Sequence, residues 1–377
     1  MPQPNPRDLA TAAVRALAPY VPGKPIDELE RELGIANILK LASNENPLGP
    51  SPAARRAMQA VLDDAWLYPD GSGHQLKTAL AGHLGVSTNQ ITLGNGSNDV
   101  LVLLAEAFLT PQDEAVYSQY CFAVYPIAVQ ATGARGIEVP AFGPDAPMPL
   151  GHDLEAMQRA ITPRTRLVFI ANPNNPTGSW ADAAALERFV ASVPRTAVVV
   201  IDEAYFEYAR EEGGQDGIAW LARYPQLVIT RTFSKIYGLA GLRVGYAISD
   251  TGIADVLNRV RQPFNVNVVA LAGATAALTD AEHLARGVVL AREGREQLRA
   301  GLNTLRVRVL PSIGNFVLAH VGPRAGALYE AMLRRGVIVR PVGNYGLSEH
   351  LRITVGTPEQ NARCIEAMRD SLIEQRR

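Results

Sequence analysis

Short apolar runs alternate with amphipathic segments between about residues 90 and 265, and this alternation constrains the fold more than any other feature of the chain. The runs at 168–171, 197–201 and 227–230 show no apolar–polar alternation, which is typical of parallel strands buried on both faces. Between the first two runs, residues 181–190 combine strong helix formers with the spacing of an amphipathic helix. The pattern predicts a mostly parallel α/β sheet whose strands are joined by crossover helices.

The pattern changes after Pro263, where helical stretches lead into a region of shorter strands. We expect a long helix at about 281–304 and another near 324–335 that ends at Gly336. A final helix is predicted to follow Thr357, because a threonine N-cap followed by proline is a common helix start. The strand-like runs between these helices are 307–310, 316–319, 337–340 and 351–355. The region therefore predicts a smaller α+β domain.

Three parts are expected along the 377 residues, a length that favours two or three folding units. Residues 1–45 are predicted to form an N-terminal arm and part of the small domain, because this proline-rich segment has too few apolar residues for a core of its own. Residues 46–265 are expected to form the large α/β domain. Residues 266–377 are expected to form the small domain, with the long helix as the connection.

The composition argues against several classes of protein. A formal net charge of −1, with 19% charged and 47% hydrophobic residues, gives no basic footprint for nucleic acid. Cys121 and Cys364 lie far apart and the six histidines are scattered, so we expect neither a disulfide nor a metal site. No apolar run reaches the roughly 18 residues of a membrane span, and the first residues lack the apolar core of a signal peptide. We therefore expect a cytoplasmic protein without a nucleic-acid or membrane partner.

Lys235 follows Thr232 and Ser234 and precedes Arg243 by eight residues. A lysine can form a Schiff base with an aldehyde, while hydroxyls and a guanidinium bind a phosphate through charge-assisted hydrogen bonds. This combination indicates pyridoxal phosphate, which carries both groups. For an isolated Ser-Lys pair, a surface lysine beside a turn is the alternative.

Three further motifs lie where predicted strands end or the next helices begin, the edge at which open α/β folds build their sites. Residues 172–178 form an Asn-Pro turn, and Asp202 ends the next strand, where a carboxylate can keep a pyridine nitrogen protonated. Residues 94–99 open a helix whose free N–H groups and positive dipole end suit a phosphate. Each motif alone is compatible with a turn or a helix cap. Together with Lys235 they predict a pyridoxal-phosphate site.

These motifs resemble those of the fold type I, class II pyridoxal-phosphate-dependent aminotransferases, and the resemblance covers nearly the whole chain. The segments that carry it are 19–25, 41–49, 68–71, 231–243 and 351–357. The similarity is strongest to members that act on histidinol phosphate in histidine biosynthesis. It implies a large domain with a mostly parallel seven-stranded sheet, a smaller α+β domain and a homodimer.

The resemblance implies that pyridoxal 5′-phosphate forms a Schiff base with Lys235, which would also move the proton between the substrate carbon and the cofactor carbon. Asp202 would pair with the ring nitrogen, and Asn175 and Tyr205 with the phenolic oxygen. The catalytic residues are therefore expected to be Lys235, Asp202 and Tyr205.

The same resemblance implies that Phe122, rather than Tyr120, stacks on the cofactor ring, although core packing is the commoner role of such residues. Tyr68 would reach the phosphate from the other subunit of a homodimer with shared sites. The expected phosphate ligands within one subunit are Ser97, Asn98, Thr232, Ser234 and Arg243.

The expected substrates are histidinol phosphate and the pair glutamate and 2-oxoglutarate. Arg352 matches the family's carboxylate-binding arginine, and Arg340 on the preceding predicted strand gives a second guanidinium for a substrate phosphate. Asn44 is expected to line the pocket and Tyr20 to close it from the arm. A surface ion pair is the alternative for either arginine, and a structural role is the alternative for Asn44 and Tyr20.

Three other functions remain open on the same motifs. An aromatic amino acid aminotransferase would use the same cofactor residues and differ in the pocket around Tyr20, Asn44 and Phe122. A decarboxylase acting on a phosphorylated amino acid shares the scaffold but is disfavoured by the arm at 19–25. A regulator that binds the cofactor without catalysis would need a fused DNA-binding module, for which there is no room before residue 40.

Overall fold

The computed structural model describes residues 5–20 and 22–375, so parts of the predicted arm, residues 1–4 and Val21, lie outside the described residues. The strands are, in chain order, β1 (Leu39–Lys40), β2 (Ile91–Gly94), β3 (Glu114–Ser118), β4 (Arg135–Val139), β5 (Thr165–Ala171), β6 (Val198–Asp202), β7 (Leu227–Thr232), β8 (Gly245–Ser249), β9 (Arg308–Val309), β10 (Phe316–His320), β11 (Val337–Ile338), β12 (Arg340–Pro341) and β13 (His350–Thr354).

Most of the helices pack against the faces of the sheets that these strands form. The α-helices are, in chain order, α1 (Ala12–Arg15), α2 (Ile26–Leu33), α3 (Pro52–Ala60), α4 (His74–Leu84), α5 (Ser97–Phe108), α6 (Val124–Ala131), α7 (Leu154–Arg159), α8 (Ala183–Ser192), α9 (Phe206–Ala209), α10 (Thr251–Val260), α11 (Val268–Ala277), α12 (Ala281–Thr304), α13 (Ala325–Arg334) and α14 (Pro358–Glu374). Among the described residues, none of these helices is long and apolar enough to cross a membrane.

The large sheet has the strand order β2-β8-β7-β6-β5-β3-β4. β8 runs antiparallel to both of its neighbours, and the remaining pairs are parallel. Along β6, Val199 and Ile201 belong to one apolar core while Val198 and Val200 belong to a second core on the opposite face. The residues of β6 alternate between two cores, which explains why this strand is apolar throughout. The predicted mostly parallel seven-stranded sheet is confirmed.

A second, antiparallel sheet has the strand order β12-β13-β10-β9 and lies beside the large one. The prediction of one strand over 337–340 was wrong, because this segment divides between two sheets. Its first part is β11, which pairs in parallel with β1 from the N-terminal segment, and its second part is β12, which pairs with β13. The N-terminal segment thus joins the small domain by backbone pairing, while the boundaries expected at 45 and 265 stay predictions.

The predicted helices of the C-terminal region are confirmed. The long helix α12 spans Ala281–Thr304, and α13 is followed by Gly336 in the left-handed conformation (φ +68°), where glycine is favoured. Thr357 caps α14, since its hydroxyl accepts from the Gln360 N–H and the Gln360 side chain accepts from the Thr357 N–H.

A buried ion pair joins the carboxyl ends of β6 and β7. The Arg231 guanidinium donates to Glu203 Oε2 through Nε (2.9 Å) and Nη2 (2.6 Å), and Nη2 also donates to Asp216 Oδ1 (2.7 Å). Glu203 Oε1 accepts the Gly217 N–H at 2.8 Å. Burial raises the pKa of Glu203, and the positive charge of Arg231 opposes that rise. The pair fixes the two strand ends that precede the candidate site.

We predict that Arg231→Met lowers the free energy of unfolding by about 3–5 kcal/mol, because it leaves the Glu203 carboxylate buried without its partner. Calorimetry should show a lower Tm, and adding Glu203→Gln should recover part of the loss. The control is Arg259→Met, which removes an exposed pair with Asp255 and should change stability by about 1 kcal/mol or less. An equal loss in both single variants would contradict the prediction.

Candidate active site

A cavity of about 390 Å³ lies where the carboxyl ends of β5, β6 and β7, the start of α5, the segment after β1 and the small sheet meet. It brings together residues that are far apart in the sequence. The predicted site residues that line it are Tyr20, Asn44, Ser97, Asn98, Phe122, Asn175, Asp202, Tyr205, Thr232, Ser234, Lys235, Arg243, Arg340 and Arg352.

Tyr68 is the one predicted site residue that does not line the cavity of this chain. Its side chain is 83% exposed, and its ring stacks on Phe264 with centroids 4.8 Å apart. Tyr120 is also absent from the lining and packs instead beside Leu150 and Leu347. Of the aromatic residues considered for stacking, the structure therefore places Phe122 in the cavity and Tyr120 outside it.

Lys235 lines the cavity and lies three residues after the end of β7. Its Nζ donates to the Ser43 carbonyl at 3.2 Å and lies 5.6 Å from the centroid of the Tyr205 ring. Burial and, to a lesser extent, the Arg352 charge lower the pKa of Lys235 to about 8, while Glu45 opposes the shift. About a tenth of the amine is therefore neutral at pH 7, far more than for an ordinary lysine, and the neutral amine is the form that attacks a carbonyl carbon.

Asp202 occupies the end of β6 on the floor of the cavity. Its Oδ1 accepts from Thr230 Oγ1 at 2.9 Å and its Oδ2 accepts from the Tyr125 hydroxyl at 2.9 Å. Burial raises the pKa of Asp202, and the two hydroxyl donors oppose this by stabilising the carboxylate. Such a carboxylate can hold a proton on a nitrogen of a bound ring.

Sequence reasoning missed both of these hydroxyl donors. Thr230 is the register partner of Asp202 across β6 and β7, so aligning the two predicted strands would have found it. Tyr125 lies on α6, and no local signal in the sequence connects its hydroxyl to Asp202. Tyr345, which also lines the cavity, belongs to no motif and could not be found from the sequence.

The start of α5 and Arg243 form a cradle suited to an anion. Arg243 Nη1 donates to Ser234 Oγ at 3.1 Å, and the guanidinium passes close to the backbone of Gly96. A Cβ on Gly96 would lie 2.3 Å from Arg243 Nη2, and a Cβ on Gly245 would lie 2.4 Å from the Ser97 nitrogen. Gly96 lets the guanidinium approach the start of α5, and Gly245 lets β8 pack closely against the same helix start. The guanidinium and the helix N–H groups together favour a phosphate.

Arg340 and Arg352 form a positively charged wall of the cavity on the side of the small sheet. They are register partners in β12 and β13, and their exposures of 7% and 5% rule out surface ion-pair roles. Arg352 donates to Asn175 Oδ1 and to the Ala42 carbonyl, while its buried Nε has no hydrogen-bond partner among the described residues. The Arg340 guanidinium lies 5.8 Å from the centroid of the Tyr20 ring. Two buried guanidiniums side by side favour an anionic substrate.

The described residues contain no group of three or more His, Cys, Asp and Glu side chains that could hold a metal ion. The chemistry available in the cavity is that of one amine, two carboxylates of which Asp202 is buried, three phenols and three guanidiniums.

Comparisons with known proteins agree with this geometry. The model of the family described as aminotransferase class I and II matches residues 36–368. The chain is similar to histidinol-phosphate aminotransferase 1 of Nitrosococcus oceani, with 54% identity over 97% of both chains. It is also similar to histidinol-phosphate aminotransferase 2 of Pseudomonas aeruginosa, with 55% identity over 96% of both chains.

Solved structures show the same fold. The crystal structure of histidinol-phosphate aminotransferase from Sinorhizobium meliloti in complex with pyridoxal-5′-phosphate has a TM-score of 0.89 and 29% identity, covering 97% of this chain and 98% of that chain. Aspartate aminotransferase from Thermus thermophilus with maleate has a TM-score of 0.81 and 22% identity, covering 96% and 99%. The predicted fold type I architecture is confirmed.

We predict that the Lys235 amine of the cofactor-free protein titrates with a midpoint near pH 8, because burial disfavours its ammonium form. Competitive acetylation followed by mass spectrometry, from about pH 6 to about pH 11, measures this midpoint against the ordinary lysine value of about 10.4. Arg352→Met should raise it by removing a nearby positive charge, whereas the surface variant Arg259→Met should leave it unchanged. A midpoint at the ordinary value would show that the amine is not perturbed.

Proposed function

The chain belongs to the class I and II aminotransferase family, and from this we propose that it transfers an amino group between histidinol phosphate and 2-oxoglutarate with pyridoxal 5′-phosphate as its cofactor. The products are imidazole acetol phosphate and glutamate, and the reaction belongs to histidine biosynthesis. Identity of about 55% over nearly the whole length to enzymes of that name supports the substrate. The observation that carries the proposal is a pair of buried guanidiniums in the same cavity as a partly buried lysine.

The residues present fit this cofactor. The Asp202 carboxylate suits a pyridine nitrogen, Phe122 suits the ring face, and the cradle of Arg243 and the α5 start suits a phosphate. The remaining polar groups that would hold the cofactor are Tyr205 and Asn175 at its phenolic oxygen and Thr232, Ser234 and Asn98 at its phosphate. Lys235 supplies an amine for its aldehyde.

When bound, the cofactor supplies an aldehyde that takes up the amino group and a ring that draws electrons from the substrate carbon. Lys235 Nζ would supply the neutral amine for the aldehyde and, when free of it, would move the proton between the two reacting carbons. The Asp202 carboxylate would hold a proton on the ring nitrogen. The small sheet contributes Arg352 and Arg340, which orient the anionic groups of the substrate.

The two arginines serve both substrates in turn. Glutamate carries two carboxylates and histidinol phosphate carries one phosphate and no carboxylate, so a site that accepts both needs donors that bind either anion. Guanidiniums bind carboxylates and phosphates alike through paired N–H donors. The oxygens of one phosphate can bind both guanidiniums at once, whereas the single carboxylate of an aromatic amino acid binds one of them, and this favours the phosphorylated substrate. The cytoplasmic location stays a prediction.

We further propose that two copies of the chain form a homodimer with shared sites. Tyr68 belongs to an exposed apolar surface that lies outside the cavity and that a second copy would cover. The large side chains of this surface are Leu62, Trp66, Leu67, Tyr68 and Phe264. In this arrangement Tyr68 reaches the phosphate cradle of the other copy.

We predict that histidinol phosphate is used at least about 10- to 100-fold better than phenylalanine or tyrosine as amino donor, because its phosphate has more negative charge and more acceptor oxygens than a single carboxylate and can bind both guanidiniums of the arginine wall. The measurement is kcat/KM for each donor with 2-oxoglutarate, using the cofactor-loaded protein.

Arg340→Met should reduce this preference, while Arg308→Met, on the same small sheet but outside the cavity, should leave it unchanged. Lys235→Ala should abolish turnover with every donor. A preference for phenylalanine would contradict the proposed substrate and leave the aminotransferase assignment in place.

We predict that mixing the inactive variants Lys235→Ala and Tyr68→Ala restores activity, because a mixed dimer contains one site with both residues intact. Random exchange gives up to about one quarter of the wild-type activity. Turnover after subunit exchange and dimer mass by sedimentation are the measurements. Mixed dimers that stay inactive would show that Tyr68 does not act across the interface.

A further inference from the structure

The side chain of Asn44 is held in one orientation by residues of the small domain. Asn44 lies after β1 with φ +58° and is 1% exposed. Its backbone N–H donates to Thr354 Oγ1 at 2.9 Å, and the same hydroxyl donates to Asn44 Oδ1 at 3.1 Å. The Asn44 carbonyl accepts from Asn315 Nδ2 at 3.0 Å. Backbone and side chain are therefore fixed together.

This orientation decides which end of the amide faces Tyr205. With Oδ1 directed at Thr354, Nδ2 donates to the Tyr205 oxygen at 2.8 Å. The amide nitrogen has only donors and the phenol has only one proton, so Tyr205 cannot direct its own proton at Asn44. Thr354 and Tyr205 are 2% and 3% exposed, which limits replacement of these bonds by water. The Tyr205 proton is left for an acceptor elsewhere in the cavity that it lines.

We propose that Thr354 is a positioning residue that, through the amide of Asn44, directs the hydroxyl proton of Tyr205 toward the phenolic oxygen of the cofactor. The inference rests on the proposed function, because it requires the cofactor in the cavity. It assigns a role to a small-domain residue that does not itself line the site. Thr354 stands two residues from Arg352 on β13, so both side chains leave the same face of that strand.

The chemistry at position 354 explains why a hydroxyl is needed there. Valine has the shape of threonine but would leave the buried Asn44 N–H without an acceptor and Asn44 Oδ1 without a donor. The amide could then turn, and its oxygen would accept the Tyr205 proton and draw it away from the cavity. Serine keeps the hydroxyl and so keeps the orientation.

The test compares Thr354→Val with Thr354→Ser in the cofactor-loaded enzyme by titrating the visible absorbance of the bound cofactor with pH. A hydrogen bond to a charged oxygen contributes about 1.5–3 kcal/mol, so its full loss corresponds to a shift of about 1–2 pH units. We expect Thr354→Val to raise the pH midpoint of this absorbance change by at least about 0.5 pH unit, because the phenolic oxygen of the cofactor loses a donor that stabilises its negative charge. Thr354→Ser should restore the wild-type midpoint.

The Tyr205→Phe background separates positioning from a general structural effect. There the shift caused by Thr354→Val should vanish, because the proton being directed is gone, whereas a structural disturbance would persist. If Thr354→Val does not fold, Asn44→Asp replaces it, since a carboxylate oxygen facing Tyr205 also accepts the proton. Its shift should then be larger with Tyr205 present than in the Tyr205→Phe background.

The outcomes distinguish this inference from the proposed function. Suppose that the wild-type protein shows a normal cofactor band and normal amino transfer. The role of Thr354 alone is then overturned if Thr354→Val leaves the pH midpoint of the absorbance unchanged, or if it shifts that midpoint equally in the Tyr205→Phe background. Absence of both the band and amino transfer in the wild-type protein would overturn the proposed function and this inference with it.

Discussion

Burial of the Asp202 carboxylate is the constraint around which the site is arranged. A negative charge at the end of a strand buried on both faces is unfavourable unless donors surround it, and the Thr230 and Tyr125 hydroxyls supply them from a neighbouring strand and from α6. The next residue in the chain, Glu203, is also a buried carboxylate, and it accepts hydrogen bonds from the Arg231 guanidinium. Each of these contacts joins one element of the large domain to another. The buried carboxylates therefore also fix the relative positions of the strands and helices that carry the site.

The arginine wall, in contrast to these buried carboxylates, places two positive charges next to each other. Arg340 and Arg352 bring two like charges into adjacent positions of the small sheet, and an anion bound to both would offset their repulsion. Arg352 meanwhile donates to Asn175 and the Ala42 carbonyl, one from the large domain and one from the N-terminal segment. These hydrogen bonds hold the Arg352 guanidinium in place before a substrate anion binds.

The sequence was sufficient for those features that depend on neighbouring residues. Apolar runs defined the central strands, and the motifs containing Lys235, Asp202 and Asn175 follow strand ends, where the topology of a parallel sheet brings them together. Contacts between residues that are far apart in the sequence could not be predicted from it. Asn44 and Thr354 are 310 residues apart, and nothing near either residue identifies the other. The division of 337–340 into two strands was missed for the same reason, because the partner of the first part is the distant strand β1.

The pairing of β1 with β11 has a consequence for how the protein is made. During synthesis β1 leaves the ribosome early, and it cannot pair with β11 until most of the chain has been synthesised. The seven strands of the large sheet all emerge within that interval. Vectorial synthesis therefore favours an order in which the large domain acquires its core first and the small domain assembles on it afterwards. The β1 strand then pairs with β11 as one of the last steps, and this pairing attaches the N-terminal segment to the small domain.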